Sequence, residues 1–441
     1  HVINIIINDR LLLCYLQDSM IQNYDMMKIF IRILLLFYYV FILLACGDKK
    51  ESISINYILM ARVTNMQTDE IKIDTPSRTI FIKLITGGDL SNVHVNLTLA
   101  KGVEMVEPAN TESVYDFTKP ASVTLKYKEE IITYHFIIDT EYNIVDPATL
   151  GWVKSTEWET LPDYLAIYKS PSTLKGKNAV AYIAVADMDK NASFSVLGNA
   201  TGVKTLTQFY NAESVKPAIV MNGGYFASNG ATVSLLYRNN VMLAPNLQSM
   251  SRSDGTSNVA FYPTRSAFGE IENGKFEVNW VYTVSSGQTY AYPAPSPNKS
   301  GVSPMQIPSV NYPEGASIWK AKNAIGGGPV LLKNGLYKNT WEAELFDTAS
   351  GIGPTSNNPR SAIGITGDNR LIFFVCEGRN KTPNVPGFTL EEVAYILRDL
   401  GCLDAMNLDG GGSSCMLVNG QETIKPSDGA QRSVTTAVAI K

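Results

Sequence analysis

Two textures of hydrophobic patterning divide the chain. From about residue 52 to 146, apolar and polar side chains alternate in short runs: EIKID, RTIFIKLI, VHVNLTLA, ASVTLKYK and IITYHFIID. Period-two alternation puts one face of a strand on a core and the other in water. The breaks carry TPS, TGGD, EPAN and TKP, which supply turn residues. Strands at this spacing, with no helical stretch between them, predict a small N-terminal immunoglobulin-like β-sandwich. DPATLGW, residues 146–152, reads as a linker.

Beyond the linker the runs become apolar throughout. AVAYIAVAD (179–187), PAIVMNGGYF (217–226) and NAIGGGPVLLKNG (323–335) have strand length, and the last two are broken by glycines. Residues 361–380 predict a hairpin turning at GDN. FTLEEVAYILRDLG (388–401) predicts a helix. Thr389 with Glu392 forms a capping box, Gly401 is placed as a stop, and Leu390, Val393, Ala394, Leu397 and Leu400 share one face. A strand through Met406 and Leu408 and a closing strand in SVTTAVAI (433–440) complete the pattern. The expected architecture is an α+β C-terminal domain with mixed β-sheet and few helices over residues 150–441, behind a sandwich over 46–148 that acts as a spacer.

The N-terminus reads as an address. Residues 1–25 match no targeting pattern, and the natural start is placed at Met26 or Met27. MKIFIRILLLFYYVFILLAC follows, with Lys28 and Arg32 ahead of an apolar run to Ala45. The uninterrupted part is short for a spanning helix, which needs about 20 residues. LLAC, Leu43 to Cys46, resembles the bacterial lipobox. That resemblance implies a lipoprotein signal peptide over 26–45, a lipid on Cys46, and a protein anchored to a membrane of the bacterial cell envelope. A plain signal peptide or membrane anchor is the alternative.

Composition removes several classes of function. Hydrophobic residues make up 45% and charged residues 18%, so a sizeable core is affordable. A net charge of -4 with no basic block beyond the N-terminus argues against nucleic acid as a partner. Histidine occurs three times, at His1, His94 and His135, so chemistry in the C-terminal two-thirds runs without imidazole. That excludes Ser-His-Asp and Cys-His nucleophiles and histidine-ligated zinc there. Cys376, Cys402 and Cys415 form no CxxC, and the first two sit in apolar runs as core residues.

Candidate chemistry gathers at strand ends. Three glycine clusters follow apolar runs: Asn222-Gly223-Gly224, Gly326-Gly327-Gly328 and Asp409-Gly410-Gly411-Gly412. Three in one domain suggest a shared surface where backbone lies bare. No GxGxxG or P-loop accompanies them. A strand over 404–409 would put Asn407 and Asp409 on one face. Glu377 and Arg379 end another strand, while Arg360 and Arg432 each precede one. Carboxylates beside arginine forks suit an anionic glycoside. The long loop 285–315 carries Tyr290, Tyr292 and Tyr312, which could stack on sugar rings or pin the loop to the body. Asp and Asn at strand ends could hold a divalent cation, but no spacing demands a cofactor.

The ordered motifs MNGGYF, AIGGGPVLLKNG, NPRSAIGIT, CEGR, GFTLEEVAYILRDLGCLDAMNLDGGGSS and RSVTTAVAI resemble the phosphodiester glycosidase family, of uncovering-enzyme type, over about residues 215–441. Residues 50–150 lie outside that match and resemble immunoglobulin-like spacers on surface lipoproteins of gut Bacteroidetes. The family resemblance implies cleavage of a sugar joined to a phosphodiester, as found in a phosphorylated glycan. It carries over Asn222, Gly223, Arg360, Glu377, Arg379, Asn407, Asp409, Gly410, Gly411, Ser413 and Arg432. Within that set Asp409 is expected to face the anomeric carbon or its attacking water, and Glu377 to be the acid. The arginines are expected to hold phosphate, the glycines to offer N–H groups, and Ser413 and Ser414 to add hydroxyls. Two rivals stay open: a non-catalytic binder of anionic glycans, and a glycosidase or depolymerase acting on an exopolysaccharide.

Overall fold

The computed structural model describes residues 56–85, 90–141, 144–158, 160–271 and 274–441. The signal-peptide and Cys46 readings lie outside the described residues.

The first eight strands form two sheets. Ile58–Val63, Val93–Leu99 and Glu112–Tyr115 make one of three strands, and the other has five. In the second, Thr79–Ile85 and Glu130–Glu141 pair in parallel. The alternation in sequence is the alternation in burial. Ile80, Ile82 and Leu84, then Val93, Val95 and Leu97, then Ile132, Tyr134 and Phe136 point into one core shared by both sheets. His94 is half-buried and His135 exposed. Three strands were not legible as strands: Ile58–Val63, Val103–Glu107 and Glu112–Tyr115. The residues read as a linker form a short 3₁₀ turn, Pro147–Leu150, capped by the Asp146 carboxylate and stopped by Gly151 at φ 82°. Contacts cross this boundary: Gln67 donates its backbone N–H to the Asn334 carbonyl at 3.1 Å, and Arg370 donates to the Val145 carbonyl at 3.2 Å.

Residues 150–441 are mostly β-sheet, with two α-helices among the described residues. Sheets of eight, five and seven strands meet at one central core. That core joins Ile363, Phe373 and Met406 of the first sheet, Met221 and Val438 of the second, and Phe268 and Ile325 of the third. Each pairing within these three sheets is antiparallel. The parallel pair noted above belongs to the N-terminal sheets.

Continuous apolar runs arise because both faces of these strands are covered. The outer face of the eight-stranded sheet packs against the predicted helix, Leu390–Asp399, through Leu390, Val393, Ala394 and Leu397. Its capping box is formed: Thr389 Oγ1 accepts from the Glu392 N–H at 3.3 Å, and Glu392 Oε2 accepts from the Thr389 N–H at 2.9 Å. The predicted hairpin pairs Arg360–Thr366 with Arg370–Cys376. A second helix, Leu206–Ala212, covers the five-stranded sheet with Leu206 and Phe209. Its signal was present and passed over: Thr205 and Gln208 make the same box.

Candidate active site

Strands Ile219–Asn222, Asn323–Gly326 and Cys402–Asn407 run out together, and there the three glycine clusters meet. A side chain on Gly224 would strike the Gly326 carbonyl, and a Cβ on Gly327 would lie 2.6 Å from the Asn407 carbonyl oxygen. Backbone therefore packs on backbone, which only glycine allows. The shared surface expected from sequence is present, although several of its members serve the scaffold.

Asn222, Gly223 and Asn407 are corrected in this way. Asn222 is buried; its Nδ2 donates to the Asp409 carbonyl at 2.6 Å, while Oδ1 accepts from Ser361 Oγ at 2.7 Å and the Cys415 N–H at 3.2 Å. Gly223 accepts the Asp409 N–H at 3.1 Å. Asn407 Nδ2 donates to the carbonyls of Gly328 at 2.9 Å and Leu408 at 2.7 Å. Asn222 is satisfied at both ends of its amide by groups around the loop that carries Asp409, whereas Asn407 spends Nδ2 there and keeps Oδ1 buried without a partner among the described residues. The strand stops at Asn407, so its alternation does not extend to Asp409.

A cavity of about 680 Å³ opens beside that loop. Asp409, Gly410, Gly411 and Gly412 form one wall, Phe226, Leu247, Met250 and Phe346 an apolar one, and Arg252, Arg265, Arg360, Arg379 and Arg432 also line it. Asp409 is the one carboxylate among the lining residues. A smaller cavity of about 450 Å³ lies elsewhere. There Arg238 donates to the Val196 and Gly198 carbonyls and Lys441 pairs with Glu213, so most of its cationic groups are spent.

The five arginines differ in what they have left to offer. Arg360 is buried and gives Nε to the Phe388 carbonyl, Nη1 to Ile352, and Nη2 to Gly353 and Ser356, all within 3.0 Å. Four of its five N–H donors are thereby engaged in clamping loop carbonyls, which leaves one for a ligand in the cavity it lines. Arg252 is paired with Asp347 at 2.8 Å. Arg432 pairs with Asp428 and reaches Ser413 Oγ at 3.4 Å through Nη1. Arg379 is exposed, holds φ 55°, and donates only Nε, to Asn358 Oδ1 at 3.3 Å. The glycines make room for these two forks. A Cβ on Gly411 would lie 2.7 Å from Arg379 Nη2, and one on Gly412 would overlap Arg432. Ser413 is buried beneath them.

Asp409 is half-buried in the cavity wall. Burial pushes its pKa up to about 6, against the pull of the Ser413 hydroxyl, the Arg432 charge and the Gly410 N–H. Tyr225, which the sequence reading did not single out within MNGGYF, lies close enough to feel Asp409, Arg360 and Arg265. Its hydroxyl donates to the Gly328 carbonyl at 2.7 Å and accepts from Asn407 Nδ2 at 2.8 Å. Desolvation by burial, then the Asp409 charge, raise its pKa, so it stays a neutral donor.

Glu377, expected as the acid beside Asp409, does not line the cavity. Its side chain is buried, and Oε1 accepts from the Lys425 N–H at 3.0 Å. Glu377→Gln is therefore expected to lower the melting temperature, with activity falling only as the folded fraction falls. Unchanged melting with selective failure on poor leaving groups would restore the acid role. Tyr292 donates to the Ser309 carbonyl at 3.0 Å, and Tyr312 Oη lies 3.3 Å from Ser296 Oγ. Neither tyrosine, nor Tyr290, lines the cavity; both bonds run within residues 285–315, and strand Thr289–Tyr292 ties that segment to the seven-stranded sheet. Cys376, Cys402 and Cys415 are buried in the core. Among the described residues no three His, Cys, Asp or Glu side chains gather as a metal site.

Sequence reasoning also missed Arg265, although a signal existed. Arg265-Ser266-Ala267-Phe268-Gly269 echoes Arg360-Ser361-Ala362-Ile363-Gly364, and each arginine opens a strand. Glu344 was missed as well. It is fully buried, and its carboxylate accepts from Ser266, Trp280, Val330 and Thr340.

Comparison with known proteins bears on these same strand ends. A family model described as phosphodiester glycosidase matches residues 215–441. N-acetylglucosamine-1-phosphodiester alpha-N-acetylglucosaminidase of Mus musculus is 32% identical over 123 residues, 25% of this chain and 23% of that protein. The Homo sapiens protein of the same name matches at the same identity and extent. SPbeta prophage-derived YomE of Bacillus subtilis is 35% identical over 83 residues, 19% of this chain and 13% of its own length. The matched segments thus span under a quarter of these relatives. Among solved structures, the zebrafish catalytic domain of the same glucosaminidase, auto-inhibited by its pro-peptide, aligns at 18% identity with a TM-score of 0.43, covering 66% of this chain and 87% of that one. The family match covers just over half of the 441 residues and takes in each residue that lines the cavity, and this chain belongs to the phosphodiester glycosidase family.

Proposed function

We propose that the protein is a hydrolase that cleaves the glycosidic bond of a sugar-1-phosphodiester in a phosphorylated glycan, with a GlcNAc-1-phosphodiester as the model substrate. The observation that carries this reading is one cavity in which a single carboxylate, Asp409, shares the lining with Arg379 and Arg432. A glycosidase acting on ordinary sugar linkages uses two carboxyl groups, one of them to protonate the departing alcohol. A departing phosphate monoester has its second pKa near about 6 and leaves without that help. Arg379 and Arg432 then donate to the phosphate oxygens as charge builds on them. Asp409 acts at the anomeric carbon, as nucleophile or as base toward water. The lone carboxylate weighs against the exopolysaccharide reading. A pure binder of anionic glycans gains nothing from a carboxylate set among its arginines, since it would repel the ligand.

Turnover decides the matter. Release of reducing sugar from a GlcNAc-1-phosphodiester is expected, with none from an alkyl glycoside of the same sugar. Tight binding without turnover would make the protein a binder, and comparable cleavage of the alkyl glycoside would make it an ordinary glycosidase.

We further infer that Cys46 carries a lipid, and that residues 46–148 are an immunoglobulin-like spacer holding the catalytic domain off a bacterial envelope membrane. The lipobox resemblance of LLAC supports this. Cys46→Ala should move the protein from the membrane fraction to the soluble one; a variant that still needs detergent for extraction sinks the idea.

A further inference from the structure

Arg265 presents a problem in electrostatics. Its side chain is 5% exposed, yet no carboxylate lies within ion-pair distance among the described residues. Its donors are partly used: Nε goes to the Glu344 carbonyl at 3.2 Å, and Nη2 to the Leu345 carbonyl at 3.3 Å and Met250 Sδ at 3.5 Å. Nη1, with two N–H groups, makes no hydrogen bond to the described residues. The guanidinium carbon lies over the Phe346 ring, 4.2 Å from its centre. Glu344 and Asp347 act on this charge only from beyond ion-pair distance, so it is buried with partial compensation and a free Nη group, an arrangement that an anion in the cavity would complete.

The surroundings are shaped to keep it there. Leu345 holds φ 55°, a left-handed conformation unusual for leucine, and its carbonyl is one of the two that fix the fork. Gly328 lacks the side chain that would displace the Phe346 ring. Glu344 is close, but its carboxylate is turned to Ser266, Trp280, Val330 and Thr340. The contrast with Arg360 is direct. The two arginines open strands of similar sequence, but Arg360 has one donor left and Arg265 has a whole Nη group.

We propose that Arg265 forms an anion subsite on the inner wall of the cavity, separate from the forks of Arg379 and Arg432, which receives a phosphate or carboxylate group of the ligand. The subsite rests on the reading of this cavity as the substrate site. The anion has two sources: the phosphodiester that is cleaved, or a second acidic group elsewhere on the glycan.

Inorganic phosphate is the first probe, titrated while the thermal melt is followed. The wild-type melting temperature is expected to rise with phosphate. Arg379→Ala/Arg432→Ala should keep part of that rise, and folded Arg265→Gln should lose it. Arg265→Lys keeps charge and length but not the fork, and its phosphate affinity should drop at least tenfold. It decides the case if the Gln variant does not fold. A Gln or Lys variant with the wild-type response, or a rim variant with none, overturns the subsite.

Substrates then separate the sources. Arg265→Lys should lower kcat/KM on a singly charged GlcNAc-1-phosphodiester if the subsite holds the cleaved phosphate. It should lower kcat/KM only on a substrate with an additional phosphate or carboxylate if it holds a second group. An unchanged kcat/KM on both substrates overturns the proposal. Phosphate binding needs no turnover, so an inactive wild-type protein whose phosphate response depends on Arg265 would remove the proposed reaction and leave the subsite standing.

Discussion

Asp409→Asn is expected to slow turnover of a sugar-1-phosphodiester at least about a hundredfold, the low end for loss of a general base, while making the folded protein more stable at neutral pH. Both effects come from one cause. Burial lifts this carboxyl from 3.8 to about 6. The folded state therefore binds the proton more tightly than the unfolded chain does. Stability associated with the group is fully present below about pH 4, is lost as pH rises through 6, and stays lost above it, a deficit on the order of 3 kcal/mol. Asparagine has no charge to desolvate. At pH 7.5 the variant should melt roughly 5 °C above wild type, and the gap should close near pH 4. Wild-type activity should run the other way, rising through about pH 6 as the carboxylate forms. A variant that melts lower than wild type, with activity tracking the folded fraction, would make Asp409 a structural residue.

Arg360→Ala is expected to damage the fold first and binding second. The guanidinium gathers carbonyls of Ile352, Gly353, Ser356 and Phe388, four groups from two separate segments. Removing it leaves an empty volume and buried acceptors without donors, at a cost of about 3 kcal/mol or more. A melting temperature roughly 5 °C or more lower should result, with earlier proteolysis near residues 352–356. Arg379→Ala gives the contrast, since this exposed side chain holds one neighbour through Nε alone. It should leave melting nearly unchanged and weaken sugar-1-phosphodiester binding about tenfold or more. Reversed behaviour of the two variants would return the phosphate-binding role to Arg360.

Much of this protein was legible in its sequence because the relevant rules are local. Alternating runs such as TIFIKLI gave half-buried strands, and continuous ones such as AYIAVAD gave strands covered on both faces. The box of Thr389 with Glu392 placed a helix, and three glycine clusters marked where strand ends converge. Asp409, Gly410, Gly411, Arg379 and Arg432 were likewise expected at the site and do line the cavity. What a side chain does with its hydrogen bonds depended on groups far away in the chain. Asn222 is spent on a carbonyl 187 residues on, and Arg265 rests on carbonyls 79 and 80 residues away. Arg265 and Arg360 read almost alike, each an arginine ahead of Ser-Ala. Only the folded chain brings four carbonyls to one and leaves the other with free donors facing a cavity, because long-range packing sets which buried polar groups meet.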